Sequence, residues 1–144
     1  MNKSWIANGF TAANALFGGL SIMMSISGEY HVAAICILIA MAADAFDGRV
    51  ARALGTAGPM GVELDSLSDD ISFGVAAGAL MYSYQLRELG AFGFIPCALL
   101  GAFCAFRLAR FNVKVTSVHG YFEGLPCPTV GVIIACYVPV SYTH

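Results

Sequence analysis

Five uncharged runs set the pattern of this chain: residues 4–28, 32–43, 71–86, 89–106 and 124–143 contain no Asp, Glu, Lys or Arg. Within them the apolar positions are nearly continuous rather than alternating, which is the pattern of helices surrounded by hydrocarbon. A spanning helix needs about 20 mainly apolar residues. The first and fourth runs reach that length unaided. The second and third reach it only if their helices continue into the polar stretch between them, "DAFDGRVARALGTAGPMGVELDSLSDD". The pattern therefore predicts an all-α polytopic membrane bundle of about five helices, with the carboxylates of that stretch on helix ends rather than in a loop. The first run is too long for the apolar part of a secretory signal and has one basic residue before it, so it reads as a membrane helix. The fifth holds Pro126, Pro128 and Pro139 close to the end of the sequence, and it reads as a short helix or as part of a chain truncated at its C-terminus.

Composition sharpens the class. Of 144 residues, 58% are hydrophobic and 11% charged, against about 45–50% and about 25% in soluble domains. The length suits one domain, 1–144. A net charge of −2 gives no sign of a nucleic-acid partner. The five cysteines show no CxxC spacing, so neither a disulfide framework nor a zinc site is expected. Charge distribution fixes an orientation. With the N-terminus inside, Lys3, Arg49, Arg52, Arg107, Arg110 and Lys114 fall on the cytoplasmic side and only Arg87 outside, in keeping with the positive-inside rule. The acidic stretch then faces the cytoplasm, at the inner surface of the cell membrane.

Six of the nine acids lie between Asp44 and Asp70. Asp44 and Asp47 are three apart, and Asp65 and Asp69 four apart, so each pair shares a helix face. Gly55, Gly58, Pro59 and Gly61 between them let the chain double back, which brings the two pairs together. Clustered carboxylates repel and are costly to bury unpaired. Their hard oxygens suit Mg²⁺, Mn²⁺ or Ca²⁺, and two divalent ions would neutralise four of them, as in sites that displace groups at phosphorus. Gly48, Ala51 and Gly61 leave room for a ligand to approach backbone, and Arg52 is placed to grip a phosphate. A solvated acidic loop would account for the charge but not for the spacing. An ion-transport pathway would use intramembrane acids too, but near the midplane between internal repeats, and no repeat is present.

The pattern Asp44-x2-Asp47-Gly48-x2-Ala51-Arg52-x8-Gly61-x3-Asp65-x3-Asp69 resembles the signature of the CDP-alcohol phosphotransferase family at all eight of its fixed positions. "NGFTAANALFGG", with Asn8, Thr11, Asn14 and Gly18, is similar to that family's first helix. "LDSLSDDISFGVA", "RLARFNV" and "YFEGLPCP" are similar to its serine-using branch. Ala77 departs from that branch, which often has proline there. The resemblance implies a six-helix fold and transfer of a phosphatidyl group from CDP-diacylglycerol to L-serine with release of CMP, using two Mg²⁺ or Mn²⁺ ions. It implies Asp44, Asp47, Asp65 and Asp69 as metal ligands and Asp69 as the base. Asn8 and Thr11, with Gly48, Ala51, Arg52 and Gly61, would line the CDP site. Arg107 and Arg110 would hold the serine carboxylate or a lipid phosphate. Glycerol phosphate or inositol phosphate remain alternative acceptors, since the signature handles the donor. The family is commonly homodimeric, and Gly74-x3-Gly78 is a small-residue pair suited to close helix packing. Glu63 and Asp70 are expected to point away from the shared face.

Overall fold

A computed structural model describes residues 4–54, 59–115 and 127–142, with side chains at 9–46, 49–50, 60–110, 112–113 and 127–141. These residues are helical apart from short turns, and the chain is a membrane helix bundle. In order it comprises α1 (Ser4–Ile26), α2 (Tyr30–Leu54), α3 (Pro59–Asp69), a π segment (Asp70–Val75), α4 (Ala76–Tyr84), a 3₁₀ turn (Leu86–Leu89), α5 (Ala91–Val115) and α6 (Cys127–Tyr142). The segments α3, π and α4 run on without a break as one rod. Both rods flanking the acidic stretch thus extend into it, as the run lengths require. Among the described residues, two apolar windows are long enough to cross a bilayer alone, Gly9–Ile26 and Ala91–Arg110; those of α2 and α6, Tyr30–Phe46 and Cys127–Ser141, are shorter.

The bundle inverts the pattern of a soluble helix. On α1 the buried positions are Thr11, Asn14, Gly18, Ser21 and Ser25, spaced three, four, three and four apart, whereas Leu16, Leu20, Met23 and Ile26 are exposed. Where both surroundings and core are apolar, helices associate through small residues that permit close approach and through interhelical hydrogen bonds. Ser21 Oγ donates to the Ala33 carbonyl of α2 at 2.9 Å, and Ser25 Oγ donates to the Ser21 carbonyl at 2.8 Å. The α1–α2 turn closes on Gly28, whose φ of 84° is the left-handed conformation of a helix C-terminal glycine. There Glu29 N–H donates back to the Met24 carbonyl at 2.9 Å.

The third rod is the hub. Ser72, Phe73 and Gly74 are consecutive and all buried, and each meets a different helix. A Cβ at Gly18 of α1 would lie 2.9 Å from Ser72 Cα, one at Gly131 of α6 would lie 2.8 Å from the Phe73 ring, and one at Gly74 would lie 3.2 Å from Gly101 Cα of α5. Glycine is required at these approaches because anything larger would force the helices apart. The core around Phe73 comprises Ala33, Ala34 and Ile37 of α2, Ala76, Ala77 and Leu80 of α4, and Ala135 and Val138 of α6. Ala77 sits fully buried within continuous helix, so its difference from proline leaves the rod unbroken. Pro128 falls in the first turn of α6, where its missing N–H costs little.

Gly74 and Gly78 both face α5, so the small-residue pair serves packing within the chain. A Cβ at Gly78 would lie 2.8 Å from the Cys97 carbonyl oxygen, which is backbone and cannot rotate away. Gly78→Val is therefore expected to destabilise the bundle by about 1–3 kcal/mol, read as earlier thermal aggregation in detergent. Gly19→Ala, where a Cβ meets nothing within 4 Å, should match the parent; equal behaviour of the two variants would refute this packing.

Candidate metal and phosphate site

The bundle brings three of the predicted carboxylates together. Asp44, just past the middle of α2, and Asp65 and Asp69, one turn apart on α3, offer oxygens that all lie within 4.8 Å of one another. Asp44 and Asp65 are half-buried, and Asp69 is 8% exposed. Local sequence explains the convergence. The four-residue spacing of Asp65 and Asp69 stacks them on the α3 face towards α1 and α2, and Asp44 ends the uncharged run that carries α2 through the apolar layer.

A second set of contacts fixes Asp69. Asn14 of α1 is fully buried, and its Nδ2 donates to Asp69 Oδ1 at 3.1 Å. Asn14 is held in turn, because Ser72 Oγ donates to its carbonyl at 2.9 Å. One turn earlier, Ser68 Oγ donates to the Thr11 carbonyl at 3.1 Å. Two serines on the third rod thus lock the register of α1 on either side of the acid. At the same end, Asn112 Nδ2 of α5 donates to Ser66 Oγ at 3.0 Å. Resemblance alone had marked Asn14, and as a helix-pattern residue; Ser66, Ser68 and Ser72 were not singled out. The available signal was polar residues at helical spacing in segments otherwise apolar.

Other predicted residues are placed as follows. Thr11 is buried beside Ser68. At Gly61 a Cβ would meet nothing within 4 Å, so the backbone there is open to approach. Arg107 is half-buried at the seam between α5 and α6, where its Nη1 donates to Cys127 Sγ at 3.5 Å. Arg110, one turn on, is exposed. Asn8, Asp47, Gly48, Ala51 and Arg52 lie on helices α1 and α2, with side chains outside the described residues. Glu63 is exposed as expected. Asp70 lies outside the carboxylate group, as expected, and is half-buried rather than solvated, with Oδ1 2.7 Å from where a Gly74 Cβ would stand and its carboxylate against the Cys104 thiol. The change from α to π geometry at Asp70 accompanies this inward placement.

Three carboxylates this close, in apolar surroundings, require shared protons or a cation. The donor set consists of hard oxygens, and ligands on opposite sides of an ion at about 2.1–2.4 Å stand about 4.2–4.8 Å apart, so these residues fit a divalent metal. Fold and site together define an integral membrane helix bundle with a carboxylate metal-type centre at one end of its apolar layer. The model of the CDP-alcohol phosphatidyltransferase family matches residues 4–142, and the chain belongs to that family. It is 37% identical over 132 residues to the CDP-diacylglycerol–serine O-phosphatidyltransferase of Helicobacter pylori strain 26695, covering 91% of this chain and 56% of that protein. It is 38% identical over 135 residues to the protein of that name from Bacillus subtilis, covering 93% and 73%. It is 40% identical over 126 residues to the archaetidylserine synthase of Methanothermobacter thermautotrophicus, covering 86% and 53%. The chain thus spans little more than half the length of several curated relatives that it matches. No solved structure gives a significant match.

Metal binding at this cluster has a direct readout. At free Mn²⁺ about 100 times its dissociation constant, binding to the folded state adds about 2.7 kcal/mol. Thermal unfolding should shift upward accordingly in the parent and not in Asp44→Asn or Asp65→Asn. Equal shifts in all three proteins would place the ion elsewhere.

Proposed function

We propose that the chain carries the catalytic centre for transfer of a phosphatidyl group from CDP-diacylglycerol to L-serine, yielding phosphatidylserine and CMP. The observation that carries this reading is the convergence of Asp44, Asp65 and Asp69, three fixed positions of the family signature, in a chain whose relatives above are named for that reaction or for an archaetidylserine product. Asp47 would complete a four-carboxylate set for two Mg²⁺ or Mn²⁺ ions. When bound, these ions would supply charge stabilisation at the phosphoryl oxygens and the departing CMP.

The protein's own groups then have distinct tasks. Asn14 donates to one oxygen of Asp69 and fixes the carboxylate plane, and the Asp69 carboxylate would receive the proton of the serine hydroxyl. That hydroxyl oxygen bonds to the phosphatidyl phosphorus as the bond from phosphorus to the CMP oxygen breaks. Asn8, Thr11, Gly48, Ala51, Arg52 and Gly61 would hold the CDP moiety, the small residues admitting it to backbone and Arg52 pairing with phosphate. Arg107 and Arg110 would take the serine carboxylate. The position of the centre suits its substrates, because the donor's acyl chains remain among lipids while its head and free serine meet at the polar helix ends. We further propose a five-span topology with this end facing the cytoplasm, residence in the inner membrane, and a homodimer.

Protein reconstituted in vesicles with CDP-diacylglycerol, Mn²⁺ or Mg²⁺ and L-serine is expected to release CMP, with no release once the metal is chelated. Asp69→Asn should lower kcat by about 10²–10⁴, the range of a positioned proton acceptor. Product from glycerol phosphate or inositol phosphate but not from serine would replace the acceptor in this reading. Arg110→Ala should raise the KM for serine roughly tenfold while leaving donor KM unchanged; an unaltered serine KM would remove Arg110 from the acceptor site.

A further inference from the structure

The end of the bundle away from the carboxylates carries its own site. An open furrow of about 550 Å³ runs between α1, α4 and α5, bordered by Ile22, Val75, Ala79, Tyr82, Phe94 and, at its mouth, Arg87. The volume lies in the range of ligand pockets, about 300–1,000 Å³. Along α4 the furrow extends from Val75 to Ser83, eight residues or about 12 Å at 1.5 Å rise. That depth approaches half of a hydrocarbon core of about 30 Å. The furrow is therefore one leaflet deep, with apolar walls and its polar groups confined to one end.

Arg87 gives the furrow its chemistry. It is exposed in the 3₁₀ turn and is the one Arg or Lys at that end of the bundle among the described residues. Glu88, next in sequence, and Glu29, in the α1–α2 turn, are both exposed, but neither borders the furrow. The mouth also carries Ser83 and Tyr82, the latter stacked on Phe94 with centroids 4.1 Å apart, an aromatic pair of the kind that sits at headgroup level. A guanidinium at the edge of hydrocarbon needs an anion, and phosphate oxygens match its paired donors. The apolar walls need an apolar filling, since an empty furrow would forfeit dispersion contacts. A second copy fits less well, because a two-fold seam on this face would bring two copies of Arg87 together.

We propose that this furrow is a binding site for a glycerophospholipid of the leaflet opposite the carboxylate centre, one acyl chain lying from Val75 to Ser83 and the phosphate diester resting on Arg87. The site is separate from the donor site and independent of the reaction proposed above.

Native mass spectrometry after delipidating washes tests it, using protein reconstituted with dioleoyl-phosphatidylglycerol, dioleoyl-phosphatidylcholine or phosphate-free monogalactosyl-diacylglycerol. The parent should retain one phospholipid of either headgroup and lose the glycolipid. Arg87→Gln should weaken phospholipid retention roughly tenfold, and Ala79→Phe, which fills the furrow, should abolish it while the unfolding temperature holds. Retention by Arg87→Gln equal to the parent, equal retention of the glycolipid, or no lipid on the parent would overturn the assignment. A lipid-free parent dimer that Ala79→Phe converts to monomer would instead identify the furrow as a seam between copies.

Discussion

Three carboxylate oxygens within 4.8 Å of one another, in a chain otherwise built for hydrocarbon, repel at short range and with little solvent to screen them. Three buried hydrogen bonds between α1 and the third rod answer that constraint. Asn14 holds Asp69, Ser72 holds Asn14, and Ser68 holds the backbone beside Thr11. None of these bonds could be made from a distance, so α1 must lie against the third rod closely enough for backbone carbonyls to meet serine hydroxyls. Gly18 against Ser72 is what permits it. The acids therefore dictate where a small residue must stand one turn away.

The third rod meets this demand in an unusual geometry. Directly after Asp69 the helix widens into π form for Asp70–Val75, and π segments occur frequently at functional sites. Here the widening coincides with the stretch in which Ser72, Phe73 and Gly74 turn to α1, α6 and α5 in succession. A regular α-helix advances about 100° per residue, which spreads three neighbours over a broad arc, and a hub ringed by helices uses all of that arc. The same segment turns Asp70 inward towards Cys104. The polar end of the bundle thus depends on one rod being surrounded rather than on one face being buried.

Much of this was legible in the sequence, and unevenly so. Run lengths too short to span alone required α2 and the third rod to continue into the acidic stretch, and they do, with Asp44, Asp65 and Asp69 inside the helices. The four-residue spacing of Asp65 and Asp69, with the turn before them, indicated convergence with Asp44. The site's partners were harder to read. Asn14, Ser68 and Ser72 are single polar residues in apolar helices, and their importance depends on which helix lies opposite, which spacing along one helix does not encode. The π segment left no signature, because "DISFGV" satisfies α periodicity as well. Arg107 shows a further limit. It donates to Cys127 Sγ, a contact set by how α6 enters beside α5, which spacing along α5 does not encode.

The two ends of the bundle differ in a way that follows from charge. At one end the acids are gathered by hydrogen bonds and need cations; at the other a single Arg87 borders an apolar furrow and needs an anion. Tyr30 against Tyr84, with centroids 5.5 Å apart, and Tyr137 donating to Gln85 Oε1 at 3.2 Å close that second end with aromatic and amide groups, which suit a headgroup layer. Val75 joins the two halves physically: it ends the π segment that follows Asp69 and also borders the inner end of the furrow. An acyl chain packed there would press on the same rod that carries Asp65 and Asp69.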